Sequence, residues 1–228
     1  MPARSAGASG LHLRFRSAGS FLVAYTTRLA RGELFVETGN PWPLGTAIDL
    51  RLHAPGVAAL DVAASVAWTR PTSVGPGQPP GMGLALSTPI DSFGATIDRV
   101  ASMYMGTRVL LGATDATSRA VIGRYLRSIV ACDLLEADLY GSNDEATADL
   151  TVIDLDSTGE AGYALVRTLK EDSRTMDVPL IALAQSEHDR ARAAESGADE
   201  VLVNPPSFAD MHATVLHALS RATVSGEH

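Results

Sequence analysis

The apolar positions of this sequence follow two different patterns that meet near residue 90. Before that point, short apolar or β-branched runs are separated by Gly, Pro and Asn, which is typical of strands joined by turns. The predicted strands are Phe21–Thr27, Glu33–Glu37, Ala47–Leu52, Leu60–Trp68 and Met82–Leu86. Several short strands at this spacing predict an all-β barrel or sandwich.

The second pattern begins with apolar residues three or four positions apart, which predict a helix over Ile90–Met105. Strands and helices then alternate. The predicted strands are Arg108–Leu111, Asp133–Glu136, Leu150–Asp154, Leu180–Ala184 and Glu200–Val203, and the predicted helices are Thr117–Ile129, Gly162–Lys170, His188–Glu195 and Phe208–Leu219. Wholly apolar strands are buried on both faces, so this half predicts an α/β, flavodoxin-like fold with a doubly wound parallel sheet.

These patterns predict two domains, and a length of 228 residues is enough for two. A β-barrel is expected over residues 11–89 and an α/β domain over residues 107–222, with a linking helix over residues 90–106. The ends, residues 1–10 and 223–228, are expected to be flexible.

The net charge of −8 is unevenly distributed along the chain. Residues 1–103 carry a net charge of +2, and residues 104–228 carry −10. A surface that binds nucleic acid must be basic, so these charges argue against a nucleic-acid partner.

Three features of the sequence favour a cytoplasmic protein that is not inserted in a membrane. The single cysteine, Cys132, cannot form an internal disulfide and is expected to be a buried small side chain. The first ten residues contain no apolar run of signal-peptide length. No stretch has the roughly 18 uninterrupted apolar residues of a membrane-spanning helix.

The motifs of common enzymes are missing from the sequence. It contains no G-x-S-x-G nucleophile motif, no H-E-x-x-H zinc motif and no glycine-rich phosphate loop. His212 and His217 are five residues apart and would point about 140° apart around a helix. We therefore expect no enzymatic activity, no cofactor and no metal.

Three stretches of the second half carry a resemblance to a known family. They are Leu150–Gly162 (LTVIDLDSTGEAG), Asp177–Ala184 (DVPLIALA) and Gly197–Pro205 (GADEVLVNP). In order and spacing they resemble the receiver domain of two-component response regulators. The resemblance implies a receiver fold and places the family's phosphoryl-accepting aspartate at Asp154.

The other residues that the family uses for phosphorylation are replaced. Two acidic residues that help hold Mg²⁺ correspond to Ala113 and Thr114, a Ser or Thr corresponds to Ala184, and a Lys corresponds to Asn204. A divalent cation held by one or two carboxylates binds weakly, so Asp154 alone is not expected to be phosphorylated.

Further positions around this site are also altered or weak. Asp115 would need a shift of one residue to supply a missing carboxylate. Asp156 could share a cation with Asp154, which makes this pair a weak metal candidate. The aromatic switch residue of the family corresponds to Val201. The resemblance therefore implies a degenerate receiver, or pseudo-receiver.

The first half resembles PilZ, a small barrel whose usual members bind cyclic diguanylate. The resemblance rests on Tyr25–Val36 (YTTRLARGELFV), interpreted as a strand, a polar turn and a strand, with further matches at Pro43–Asp49, Val66–Thr69 and Gly81–Ala85. The PilZ turn has the pattern D/N-x-S-x-x-G. Its positions here are Arg28, Ala30, Arg31, Gly32 and Glu33.

The residues that would bind the nucleotide are missing from this turn. Arg28, Ala30 and Glu33 replace the acid or amide, the hydroxyl and the last glycine, and the R-x-x-x-R segment that precedes the barrel in the family is absent. Cyclic-diguanylate binding is therefore not expected. Arg28 and Arg31 form either a small basic patch or a solvated rim, and Trp42 and Trp68 are expected to be packing residues.

The sequence thus predicts a non-enzymatic bacterial signalling adaptor that works through protein contacts and regulates motility or cell polarity. Its partners would be other signalling or polarity proteins, and a homodimer through the receiver-like half remains open. The residues expected on that contact face are His188, Arg192, Glu195, Val201, Phe208, Met211 and Val215. Two alternatives remain: a PilZ effector that binds cyclic diguanylate, and a response regulator phosphorylated on Asp154.

Overall fold

The computed structural model describes residues 9–87, 90–137, 139 and 148–225. They fall into two compact units. The first unit lies within residues 1–75, 79–104 and 220–228, and the second within residues 76–78 and 105–219. Among the described residues, no helix is both long enough and apolar enough to span a bilayer.

The described part of the first unit contains a barrel-like sheet of six strands, in the order β11-β1-β3-β4-β5-β2. The strands are β1 (Ser9–Phe15), β2 (Glu33–Glu37), β3 (Ala47–His53), β4 (Leu60–Arg70), β5 (Gly81–Leu86) and β11 (Ala222–Ser225). The pairing of β1 with β3 is parallel and the other pairings are antiparallel. Four of these strands were predicted within a few residues.

Alternation of side chains gives this sheet a buried face and an outer face. Along β3, Ile48, Leu50 and Leu52 are buried, while Asp49 and Arg51 between them are exposed. The buried side chains join one core with those of the neighbouring strands. Two helices, α1 (Ala18–Thr27) and α2 (Gly94–Met103), contribute to the same core.

The strand predicted at Phe21–Thr27 is wrong, because these residues form helix α1. Its β-branched and aromatic residues favour a strand, but a capping box starts a helix. Ser17 Oγ accepts a hydrogen bond from Ser20 N, and Ser20 Oγ accepts one from Ser17 N, both at 3.1 Å. Phe21 and Ala24, three residues apart, are then both buried on one side of the helix.

The end of the described chain also differs from the prediction. Residues 222–225 form β11, which pairs with β1 in the register Leu13 to Val224, instead of a flexible tail and the end of the α/β domain. The predicted helix is present as a short 3₁₀ turn, Ile90–Phe93, followed by α2, while its role as a link between domains stays a prediction. Val100 of α2 is fully buried in the core of the first unit.

The described part of the second unit is a five-stranded parallel sheet in the order β10-β9-β8-β6-β7. Its strands are β6 (Thr107–Gly112), β7 (Cys132–Glu136), β8 (Leu150–Asp154), β9 (Leu180–Ala184) and β10 (Glu200–Val203). Its helices are α3 (Ala116–Ile129), α4 (Leu155–Thr158), α5 (Glu160–Glu171), α6 (Glu187–Glu195) and α7 (Phe208–Ser220). Every residue of β8 and β9 is buried, as predicted for a parallel sheet covered on both faces.

The strand order of this sheet places the candidate site. Chain order runs from β6 to β7 on one side and then returns to β8 on the other side of β6. This reversal opens a crevice at the carboxyl ends of the strands, where ligands of open α/β sheets bind.

Candidate functional site

The structure brings the predicted positions of the second unit together at the carboxyl edge of the sheet. Asp154 is the last residue of β8, and Asn204 follows β10. Asn204 N donates a hydrogen bond to Ala184 O at the end of β9, at 3.2 Å. Thr114, after β6, donates its N–H to Ser157 Oγ at 3.1 Å. Four strand ends therefore meet around one carboxylate.

The Asp154 side chain is buried and used locally. It is 1% exposed and is the N-cap of α4, with Oδ1 accepting a hydrogen bond from Ser157 N at 3.4 Å. The same Oδ1 accepts a hydrogen bond from Asn204 Nδ2 at 2.9 Å. Its other oxygen, Oδ2, is buried and has no hydrogen-bond partner among the described residues.

Asn204 links two carboxylates. Its Nδ2 also donates a hydrogen bond to Asp156 Oδ2 at 2.7 Å, and Asp156 Oδ1 accepts one from Gln185 N at 3.2 Å. One neutral amide thus supplies a hydrogen bond to each carboxylate. The arrangement contains no cationic side chain in the position where the resemblance implies a lysine.

The residues that follow β6 also make local hydrogen bonds. Thr114 Oγ1 donates a hydrogen bond to Ser157 O, and Arg119 Nε donates one to Ala113 O at 3.2 Å. Asp115 is the N-cap of α3, with its carboxylate accepting a hydrogen bond from Ser118 N at 2.7 Å. The carboxylate of Asp115 therefore binds its own helix and does not substitute for the missing acids.

The donor set does not fit a magnesium site. Mg²⁺ prefers oxygen ligands in near-octahedral geometry, but Ala113 and Thr114 supply no carboxylate at the positions where the resemblance implies acidic residues. In the described ranges, no group of three or more His, Cys, Asp or Glu residues could hold a metal ion. The Asp154–Asp156 pair therefore lacks the further acidic ligand that the resemblance implies, and its weak candidacy as a metal site stays a prediction.

Comparison with known proteins is informative for this half of the chain. The chain is 31% identical over 123 residues to the phosphate regulon transcriptional regulatory protein PhoB of Escherichia coli, covering 51% of this chain and 53% of the relative. The PhoB of Klebsiella pneumoniae is 30% identical over the same length. The chain thus spans about half the length of the curated relatives it matches. No family model matches the chain.

Solved receiver structures align with the same half. The receiver domain of sensor histidine kinase PA1611 from Pseudomonas aeruginosa aligns with a TM-score of 0.46 and 21% identity, over 51% of this chain and 99% of that one. Chemotaxis protein CheY4 of Vibrio cholerae aligns with a TM-score of 0.43 and 18% identity, over 50% and 98%. A receiver domain covers about half of this chain.

The predicted contact face of the receiver domain is only partly a surface. Met211 and Val215 are fully buried, so they belong to the core and cannot contact a partner. His188 and Glu195 are exposed, Val201 is partly buried, and Phe208 is 44% exposed. Arg192 lies over the ring of Tyr163 with its Cζ 3.9 Å from the centroid, and it hydrogen-bonds Glu160 at 2.6 Å.

Cys132 lies on β7 of the receiver domain and is only partly buried, not fully buried as predicted. Burial nevertheless raises the pKa of its thiol, although the nearby Arg127 lowers it. A raised thiol pKa disfavours the reactive thiolate, so nothing at this position indicates redox chemistry.

The predicted PilZ turn has a different context from the one expected. Arg28 ends helix α1, so the turn joins a helix to β2 and not a strand to a strand. Ala30 and Arg31 lie in a 3₁₀ turn, and the Arg31 guanidinium donates a hydrogen bond to Thr27 O. Gly32 has φ +73°, a left-handed conformation that favours glycine.

Sequence reasoning missed one cluster of the first unit. Trp68, predicted as a packing residue, is 39% exposed and stacks on Phe35 with ring centroids 5.5 Å apart. Arg70 and Arg28 lie against these rings. The sequence signal for this cluster was the spacing of Trp68 and Arg70, which are two residues apart on β4. The small residue Gly83 lies opposite Trp68 on β5.

Proposed function

We propose that this chain is a cytoplasmic, non-enzymatic signalling adaptor whose receiver domain is not controlled by phosphorylation. The observation that carries the proposal is the Asn204 side chain, which hydrogen-bonds Asp154 at 2.9 Å and Asp156 at 2.7 Å. The amide donates a hydrogen bond to each carboxylate from the position where the resemblance implies a lysine. Information would then pass through contacts with other proteins.

The chemistry of phosphoryl transfer supports this proposal. A phosphoryl group carries its charge on three oxygens, and transfer requires cations that neutralise them. Ala113, Thr114 and Asn204 supply neither carboxylates for Mg²⁺ nor a positive charge. A nucleophilic oxygen must also reach the donor, but Asp154 is 1% exposed.

We propose that the barrel-like sheet forms a degenerate PilZ-like domain. Four predicted strands of the resemblance are present, although the helix at Ala18–Thr27 replaces the fifth. Arg28 stacks on Phe35, and the exposed Glu33 would place a negative charge near a bound phosphate. We therefore propose that this domain does not bind cyclic diguanylate.

The pathway is inferred from the two resemblances alone. Both families typically act in bacterial motility, polarity and surface attachment, so we propose a regulator of motility or cell polarity. Its partners would be other signalling or polarity proteins, and a homodimer through the receiver domain is compatible with the exposed His188, Glu195 and Phe208.

One observation favours a second function, that of a phosphorylatable response regulator. Asp154 stands at the carboxyl end of β8, and its Oδ2 has no partner among the described residues. If Asn204 and the α4 cap moved aside, this oxygen would become the nucleophile. That rearrangement would break the hydrogen bonds that Asp154 makes to Asn204 and Ser157.

Calorimetric titration separates these functions. The full chain is titrated with cyclic diguanylate and, separately, with beryllofluoride plus Mg²⁺, a mimic of the phosphorylated state. If the chain is an adaptor, neither titration should give a saturable heat of binding. Binding of the dinucleotide that is lost in Arg28→Ala would support a PilZ effector, and binding of beryllofluoride that is lost in Asp154→Ala would support a response regulator.

A further inference from the structure

The outer face of the barrel-like sheet carries two stacked aromatic rings. Phe35 on β2 and Trp68 on β4 are both registered with Gly83 of β5, and their rings lie 5.5 Å apart with an interplanar angle of 19°. A Cβ atom on Gly83 would overlap the indole of Trp68. The glycine therefore lets the two rings meet across the strand between them.

Two arginines extend this stack. Arg70 Cζ lies 5.2 Å from the ring centroids of both Phe35 and Trp68, and Arg28 Cζ lies 5.6 Å from that of Phe35. These distances are within the range of cation–π interactions. We call Arg28, Phe35, Trp68 and Arg70 the arginine–aromatic surface.

The two guanidinium groups differ in their hydrogen bonds. Arg70 Nη1 donates a hydrogen bond to Pro79 O at 3.1 Å, which fixes the position of the guanidinium. The guanidinium of Arg28 has no carboxylate within ion-pair distance and no hydrogen-bond acceptor among the described residues. Its five N–H donors therefore remain available to a ligand.

The position of Arg28 is electrostatically unfavourable in the free protein. Burial lowers the pKa of its guanidinium, the proximity of Arg70 and Arg31 lowers it further, and Glu33 raises it. A half-buried charge with no carboxylate within ion-pair distance is only partly compensated for the loss of its water. Such a residue is typical of a surface that is completed by a ligand.

We propose that the arginine–aromatic surface binds an acidic segment of a partner protein. A carboxylate of the segment is held by the guanidinium of Arg28, and a neighbouring apolar or aromatic side chain packs on the exposed part of Trp68. The assignment rests on the proposed adaptor function and names the surface through which the adaptor contacts its partner.

The composition and charge of the surface favour an acidic protein segment over a phosphate-rich ligand. Arginine and tryptophan are the residues that most often dominate protein–protein binding energy. A guanidinium group binds a carboxylate through two parallel hydrogen bonds. The charge is modest, because Glu33 lies beside Arg28, whereas nucleic acids and anionic membranes need broad basic surfaces.

The two tryptophans provide the readout. In a ¹H–¹⁵N spectrum of the ¹⁵N-labelled full chain, each indole N–H gives one signal, and Trp68→Phe identifies the signal of Trp68. Trp42 packs against the core of the first unit, so its signal is an internal control. The probes are a random glutamate–tyrosine copolymer, polyglutamate, phosphatidylglycerol vesicles and inorganic phosphate.

The glutamate–tyrosine copolymer is expected to shift the Trp68 indole signal in a saturable way and to leave Trp42 unchanged. Polyglutamate should bind more weakly, because it offers carboxylates without aromatic rings. Arg28→Gln removes a charge-assisted hydrogen bond and should weaken copolymer binding about tenfold. Arg99→Gln, an exposed arginine on α2, is the matched control and should leave binding unchanged.

Three results would overturn the proposal: no Trp68 shift with the copolymer, an equal loss in Arg28→Gln and Arg99→Gln, or binding of vesicles or phosphate in preference to the copolymer. An unchanged Trp42 signal shows that Arg28→Gln remains folded. A different result, the binding of beryllofluoride or cyclic diguanylate, would disprove the adaptor function. The two experiments therefore distinguish failure of the proposed surface from failure of the proposed function.

Discussion

The Asp154 network of the receiver domain and the arginine–aromatic surface of the barrel-like sheet differ in the hydrogen-bond partners of their charged groups. In the network, two carboxylates share the amide of Asn204, and Asp154 is shielded from solvent. On the surface, Arg28 faces an aromatic ring, and its guanidinium has no hydrogen-bond acceptor among the described residues. Three of the four carboxylate oxygens in the network accept hydrogen bonds, whereas the guanidinium of Arg28 donates none among the described residues.

This difference indicates which cluster can respond to a signal. A buried polar group contributes to stability only when it is hydrogen-bonded, so the Asp154 network is expected to be structural. A guanidinium without a hydrogen-bond acceptor keeps its N–H donors available for binding. On the proposed function, the Asp154 position, which carries the resemblance to receivers, would be the less responsive of the two.

The largest expected effect on stability comes from a substitution in the Asp154 network. Replacing Asn204 by Leu leaves buried Asp154 Oδ1 without its 2.9 Å hydrogen bond, so the free energy of unfolding should fall by about 3 kcal/mol. Chemical denaturation measures the change. Asn40→Leu, at an exposed position, is the control and should alter stability by less than about 0.5 kcal/mol. Equal effects in the two variants would show that the network is not structural.

A smaller effect on stability is expected from a substitution in the arginine–aromatic surface. Arg28→Gln removes a cation–π contact and also the cost of a half-buried charge, so the free energy of unfolding should change by less than about 0.5 kcal/mol. The same denaturation experiment tests this expectation. A loss above about 1.5 kcal/mol would make Arg28 a structural residue and remove the contrast between the clusters.

The smallest effect concerns Asp172, a partly exposed carboxylate of the receiver domain that pairs with Arg174. Hydrogen bonds from the side chain and backbone of Arg174 lower the pKa of Asp172 from 3.8 to about 2. Because the folded pKa is depressed, the contribution to stability is present above the unfolded pKa and is lost as the pH falls through about 2. Carboxyl NMR titration should show this pKa, and Arg174→Gln should raise it towards its usual value. An unchanged pKa in that variant would disprove the pairing.

The sequence predicted the receiver half well, because its signals are local. Strands such as Leu150–Asp154 and Leu180–Ala184 are wholly apolar, and the helices between them have regular spacing. The four-residue helix Leu155–Thr158 was missed, since it is too short for a periodic pattern and depends on the Asp154 cap. The meeting of Asp154 with Asn204 followed from the family resemblance, but the bridge to Asp156 depends on side-chain geometry.

The barrel half was predicted less well, because its decisive contacts are subtle or distant. The capping box of Ser17 and Ser20 lacks the Glu or Gln that usually marks this motif, so strand propensity prevailed over Phe21–Thr27. Strand β11 pairs with β1 across more than half of the chain, which no local pattern reveals. The stack of Phe35 on Trp68 likewise needs the register of three strands.

The most direct test of the central claim is the intact mass of the full chain after incubation with acetyl phosphate and Mg²⁺. We expect no gain of a phosphoryl group by the native sequence. The combined variant Ala113→Glu, Thr114→Asp, Ala184→Thr and Asn204→Lys restores the residues of the receiver family, and it should gain one group in a way that Asp154→Ala abolishes. A phosphoryl group on Asp154 of the native sequence would contradict the account.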